Sequence, residues 1–332
     1  MIITRTPFRM SFFGGGTDYP AWYEKHGGAV LSVTINKFCY ITCRYLPPFF
    51  DNKYRFVWSK IELAKNIDHI QHPAFSHIVR FTDIEKGIEV HHDADLPSRS
   101  GLGSSSSFTV GLLHALNALK GKVITKRQLA LDAIHVEQKI MKESVGSQDQ
   151  VAAAFGGLNK IEFGGSHTLS VNPITIGHER LNELQNHLML FFTGLSRNAS
   201  EIAIHQINNI ERKTDELHLM REIVDQATDI LTSSDNLEEF GVLLHETWKL
   251  KRGLSLSITT PFIDEIYEAG ISAGASGGKL LGAGGGGFML FFVKPESQPH
   301  VREKLKNLLY VPFRFDGVGS QIVYYSSSED SQ

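Results

Sequence analysis

Cysteine is nearly missing from this 332-residue chain, and the two present, Cys39 and Cys43, stand in one strand-like stretch, NKFCYITCRYL. Their four-residue gap sets both on one strand face about 13 Å apart, at about 3.3 Å per residue, too far for a disulfide. Without a paired-cysteine framework, a reducing compartment is expected. No apolar run approaches the roughly 20 residues of a membrane span, and the amino end, MIITRTPFRMSFF, has no apolar core of signal-peptide length. The expected location is cytoplasmic. Long basic runs are absent too, and the net charge is −3, which excludes the electrostatic footprint of a general nucleic-acid binder. Small anionic ligands remain open to it, because one pocket can be positive while the whole is not. The Walker pattern GxxxxGK followed by Ser or Thr occurs nowhere, nor do the HRD and DFG signatures of protein kinases.

Apolar residues make up 42% and charged residues 21%, the profile of a folded globular protein, and the length suggests two domains. The first third reads as β-rich: MIITRTPFRMSFF as one strand, and residues 27–46 as two more broken near Asn36 and Lys37. Helical periodicity follows in SSSSFTVGLLHALNALKG and TKRQLALDAIHVEQKIMK, the latter with Thr125 as its start signal. A strand pair is expected over 157–172, a strand over 187–194, and long helices over 199–232 and 236–252. The chain then reads GGKLLGAGGGGFMLFFV, a helix in SQPHVREKLKNLL, and strands near 311–315 and 320–325. The fold class is α+β.

The strongest local signal is LPSRSGLGSSSSFTVGLLHAL, 96–116. Its small residues let backbone N–H groups approach a ligand, and the loop runs directly into a helix whose unpaired N–H groups favour an anion. One serine would suffice as an ordinary helix cap; here four stand behind Gly101 and Gly103. A GxGxxG match at Gly282, Gly284 and Gly287 is followed by strand-like FMLFFV, where a dinucleotide fingerprint needs a helix. Four consecutive glycines nonetheless exceed what a tight hairpin requires.

On a helical wheel from Thr125 to Lys142, Leu129, Ala130, Ala133, Ile134, Val136, Ile140 and Met141 form one apolar arc. Glu137 falls near its middle. A carboxylate there must be neutral, paired or bound to a cation, and the upstream phosphate loop favours magnesium. Twelve residues later, GSQDQVAAAFGGLN sets Asp149 just before an apolar helix, where it could also act as an N-cap.

Together these stretches resemble the GHMP small-molecule kinases, the family of galactokinase, homoserine kinase and mevalonate kinase. TPFRMSFFGGGTDYP, LPSRSGLGSSSS and KLLGAGGGGFMLFF match its three motifs in order. The resemblance implies an amino-terminal domain like ribosomal protein S5 domain 2 over 1–180, a ferredoxin-like domain over 181–332, and an active site between them. It implies ATP and Mg2+, with nucleotide phosphates on Gly101, Leu102, Gly103, Ser104, Ser105 and Ser106 and on Gly284, Gly285 and Gly286, and the metal on Ser105 and Glu137. Asp149 becomes the candidate base with Arg9 facing it, and an aspartate so placed is expected to orient the acceptor hydroxyl more than to strip it. Asp18, with Gly15, Gly16 and Thr17, is expected to hold a sugar. Galactokinases carry Glu and His where this chain has Gly15 and Gly16, so a different sugar is implied: a sugar phosphate phosphorylated at its anomeric hydroxyl, with Arg197 on the distal phosphate. Lys279 is expected to support the third glycine loop. No nucleic-acid or membrane partner is expected, and a homodimer is compatible with the sequence. A non-catalytic sugar sensor on the same fold, a kinase for mevalonate-type alcohols, and another anomeric sugar kinase such as an L-fucokinase are the alternatives. The intact set Arg9, Ser105, Glu137 and Asp149 argues against the first, and Asp18 in TDY against the second.

Overall fold

The Ile2–Phe13 strand organises the amino-terminal half, and from Thr6 to Phe13 every one of its residues is buried. Such a run needs cover on both faces, and helices from both halves of the chain supply it: Ser104–Leu119 and Gln148–Phe155, then Thr214–Thr232 and Glu238–Leu254. Pro7, which cannot donate to a ladder, sits where the strand's register shifts. The computed structural model describes residues 1–164, 169–194, 199–233 and 236–326.

Gly28–Tyr45 is one strand of 18 residues rather than the two expected. The break signal at Asn36 and Lys37 is a bulge: Ile35 pairs with Phe8 and Phe38 with Pro7, leaving the two polar residues out of that ladder. The strand bends there and serves two sets of neighbours, Leu158–Phe163 along its first half and Ile88–Ala94 along its second. Leu158–Phe163 in turn pairs with Leu169–Pro173, as the sequence leads one to expect.

The second sheet runs Leu309–Tyr310, Leu188–Phe192, Phe288–Val293, Ala275–Leu280, all antiparallel. In chain order that is fourth, first, third, second, with helices in the first and last connections, the ferredoxin-like arrangement. The end of the chain departs from the division at residue 180. Phe315–Asp316 pairs with Gly28–Tyr45, and Gln321–Tyr325 pairs with Ile2–Phe13, so the last strands complete the first sheet. Phe13 and Phe240 meet edge to face at 4.9 Å, and the main core carries residues of both halves. Cys39 and Cys43 are buried and free. Among the described residues no helix is long and apolar enough to cross a membrane.

Candidate active site

The serine-rich stretch forms the Ser104–Leu119 helix, and its N-cap is Gly103 in the left-handed conformation, with no side-chain cap. The capping alternative therefore fails. Ser104 instead turns its hydroxyl back to accept from the Arg99 N–H at 3.2 Å, and Ser107 bonds the Pro7 carbonyl at 2.9 Å. The first-turn N–H groups lack a side-chain acceptor, the condition for an anion site at a helix start.

Arg9 fixes this loop to the neighbouring carboxylate. Its backbone N–H donates to the Leu102 carbonyl at 3.0 Å and its Nη1 to the Gly101 carbonyl at 2.7 Å. The rest of the guanidinium takes Asp149 in a two-point grip, Nε to Oδ1 and Nη2 to Oδ2, both 2.7 Å. Asp149 lies in the first turn of Gln148–Phe155, behind Ser147, so it is not the cap of that helix. The Arg9 side chain is 5% exposed and that of Asp149 25%, which leaves the carboxylate the accessible partner. A Cβ on Gly103 would stand 3.4 Å from Asp149 Oδ2. The anion loop and the carboxylate are thus in direct apposition.

Glu137 is wholly buried, as the wheel implies. The helix it sits on differs from the expected one: Lys126–His135 is α-helical, with Thr125 accepting from the Gln128 N–H, and Val136–Ile140 widens into a π turn. Such turns are rare and concentrate at functional sites. Ser106 donates to Glu137 Oε2 at 3.0 Å, and the Gln150 amide donates to the same oxygen. Oε1 has no partner. Burial pushes the carboxyl up to about 7, against the pull of the Thr109, Gln150 and Ser106 side chains. The serine touching Glu137 is therefore Ser106, while Ser105, expected to share a metal with that carboxylate, is exposed. A helix advances about 100° per residue, so one position decides which of two adjacent serines faces inward.

Asp18 is 3% exposed; its Oδ1 accepts from the Gly16 N–H and its Oδ2 from Gln148 Nε2, both at 2.9 Å. Burial raises its pKa. Gly146 is indispensable to this contact, since a Cβ there would lie 1.9 Å from Asp18 Oδ2. Thr17, expected to touch the sugar, is fully buried instead. Its hydroxyl lies 2.8 Å from the Gly14 carbonyl and accepts from the Ala29 N–H at 3.1 Å, so it holds the turn. Gly15 and Gly16 line the loop in front of Asp18, and Arg197 lies outside the described residues.

The third glycine stretch braces the second. Cβ atoms on Gly282 and Gly287 would run into Gly101 and Ser100 backbone at 2.4 and 2.2 Å. Gly284, Gly285 and Gly286 all have positive φ, but Gly285 already donates its N–H to the Ile258 carbonyl at 2.8 Å. Of the three N–H groups expected to donate to phosphate, that of Gly285 is engaged within the chain, and Gln206 and Lys251 bond the neighbouring Ala283 and Gly282 carbonyls. Lys279 does not hold it; its Nζ donates to the Phe12 carbonyl at 2.7 Å. Lys251 does, bonding the Leu280 carbonyl at 3.0 Å and also that of Gly282. Burial, with Arg9 adding to it, lowers the Lys251 pKa to about 7. Lys251 escaped the sequence reading although the signal was there. Phe240, Gly241, Leu244, Thr247, Trp248, Lys251 and Leu254 are the buried positions of one helix, recurring at three- and four-residue spacing, the same wheel argument that exposed Glu137.

The loop at this helix start can accept an anion, with an arginine-held aspartate opposite and a buried glutamate behind, a geometry suited to moving a phosphoryl group between small molecules. The chain belongs to the GHMP kinases: the family's amino-terminal domain matches residues 61–157 and its carboxy-terminal domain residues 230–311. Across nearly its full length it is similar to the D-glycero-alpha-D-manno-heptose 7-phosphate kinase of Campylobacter jejuni, 32% identical over 92% of this chain and 93% of that one. A putative sugar kinase from C. jejuni superposes with a TM-score of 0.69 at 27% identity, covering 97% of each chain. The fold also matches that of a D-glycero-D-manno-heptose 1-phosphate kinase from Bacteroides thetaiotaomicron, TM-score 0.80 at 24% identity over 98% of this chain and 100% of that one.

Proposed function

We propose that this protein phosphorylates the anomeric hydroxyl of D-glycero-D-manno-heptose 7-phosphate with ATP, giving the 1,7-bisphosphate used for GDP-heptose and surface polysaccharide. The observation that carries the reading is the apposition of Asp149 to the Gly101–Ser106 loop, with Arg9 holding both. The full-length similarity to a heptose 7-phosphate kinase supplies the sugar. The L-fucokinase alternative has weaker support: the bifunctional Bacteroides fragilis relative is 26% identical, and this chain spans only 35% of it.

Phosphoryl transfer asks for positioning and charge neutralisation more than for covalent chemistry. The first-turn N–H groups of Ser104–Leu119 hold phosphate oxygens, and the carbonyl bonds of Arg9 and Lys251 keep the loops from moving. Asp149 accepts the hydrogen bond of the attacking hydroxyl and aligns it; the proton follows late. Magnesium fits the Glu137 corner, where a buried carboxylate keeps one oxygen free, and a second hydroxyl is available from Ser105 at the solvent side of the helix start. Among the described residues no three His, Cys, Asp or Glu side chains cluster to bind a metal alone, which suits an ion carried largely by substrate phosphates. When bound, it neutralises charge on the phosphoryl oxygens. Incubation with magnesium, ATP and heptose 7-phosphate, read by phosphorus NMR, tests the reading. A new signal at the anomeric position is the expected result; ADP release with no sugar of a broad panel would overturn it.

A further inference from the structure

Ser11 and Gln148 lie beside the Gly14–Gly16 loop, 5% and 7% exposed, and each carries a buried polar atom without a partner: Ser11 Oγ and Gln148 Oε1. The orientation of the Gln148 amide is fixed, because its Nε2 donates to Asp18 Oδ2, and a carboxylate oxygen accepts only from nitrogen there. These two side chains flank one point of the glycine loop. Gly15 has no positive φ, and a Cβ built on it would meet nothing nearer than Gln148 Nε2 at 3.7 Å and Ser11 Oγ at 3.9 Å. Neighbouring Gly14 is different, since a Cβ there would strike the Ala29 carbonyl at 1.9 Å. Gly14 is a glycine because the backbone demands it. Gly15 meets no such demand, and a Cβ there would come into contact with both side chains that carry the unpartnered atoms.

Resting on the sugar-kinase reading above, we propose that Ser11 and Gln148 are the residues that bind an acceptor hydroxyl, and that Asp18 is a positioning residue behind them. One sugar hydroxyl donating to Gln148 Oε1 and accepting from the Ser11 O–H satisfies both groups at once. Asp18 acts through Gln148, holding its amide so that the oxygen faces the ligand. The chemical class recognised is a polyol with a hydroxyl at that point, and a deoxy analogue leaves both groups unpaired.

The test uses Ser11→Ala, Gln148→Met and Gly15→Ala in the whole protein, with steady-state kinetics on heptose 7-phosphate and ATP and thermal-shift titration with free sugars and sugar phosphates. Each variant is expected to raise the sugar KM about tenfold or more with the ATP KM unchanged. Ser11→Ala is also expected to keep or raise Tm, since it removes an unsatisfied hydroxyl. A sugar KM unchanged in Ser11→Ala and Gly15→Ala would overturn the assignment while leaving the kinase reading intact. If the wild type phosphorylates no sugar yet binds one, and the variants weaken that binding, the assignment stands and the kinase reading falls. If the wild type neither phosphorylates nor binds any polyol of the panel, both fall.

Discussion

The Arg9–Asp149 corner and the Glu137 corner set two carboxylates, one part-exposed and one wholly buried, against the same loop, and they are built in opposite ways. At the first, both carboxylate oxygens are taken by one guanidinium at 2.7 Å. At the second, no cation among the described residues is paired with the carboxylate: Ser106 and Gln150 donate to one oxygen, and the Thr109 hydroxyl also pulls on the group. A carboxylate gripped at both oxygens holds a fixed direction, which suits a group that aligns a hydroxyl. A carboxylate buried with neutral donors alone is pushed up to about 7 by that burial and is ready to exchange its proton for a cation. The same side-chain chemistry thus serves orientation on one side and charge neutralisation on the other.

The sharpest way to break this contrast is Asp149→Asn, which keeps the shape and removes the charge that Arg9 matches. Turnover is expected to fall on the order of 10²-fold or more with little change in ATP affinity, measured by steady-state kinetics beside a nucleotide-binding assay. Next in size is a pH effect at Glu137. The folded carboxyl titrates at about 7 against an ordinary 4.5, so the folded chain binds the extra proton between those values. The stabilisation is full below pH 4.5 and lost as pH rises through 7, a swing of about 3 kcal/mol for the ligand-free protein. Urea unfolding across that range is expected to show the slope in the wild type and to lose it in Glu137→Gln. Because a cation displaces the proton, magnesium affinity should climb over the same interval.

A smaller change addresses the donors rather than the carboxylate. Gln150→Leu removes one support of Glu137, and the magnesium concentration for half-maximal activity is expected to rise about tenfold. The smallest effect separates the two serines. Ser106→Ala loses the 3.0 Å bond to Glu137 and is expected to cost about 1 kcal/mol of stability, whereas Ser105→Ala should leave stability unchanged and alter only the metal requirement. Chemical denaturation of both variants, paired with magnesium titration, decides it.

Much of this was legible in the chain because it is local. Glu137 stood out as a charge on an apolar helix face, and Lys251 carried the same mark on the Glu238–Leu254 helix. The glycine and serine spacing at 101–106 announced a helix start without announcing its cap. Thr17 shows where a motif is less specific than it looks: it shares a turn with Asp18, yet its hydroxyl is bound to Gly14 and Ala29. The choice of Ser106 over Ser105, and the brace made by the third glycine loop, depend on how one segment is seated against another.

The sequence by itself determined the periodic elements, the three glycine stretches and the inward-facing carboxylate, since each follows from neighbours within a few residues whose spacing matches a strand or helix repeat. Only the tertiary structure decided that Gln321–Tyr325 closes the first sheet on Ile2–Phe13, that Arg9 grips Asp149 at both oxygens while bonding the Gly101 carbonyl, and that Gly282 lies against Gly101. Those pairings arise when distant segments bury their apolar faces together, and the partner each polar group then finds is fixed by packing that no local pattern encodes.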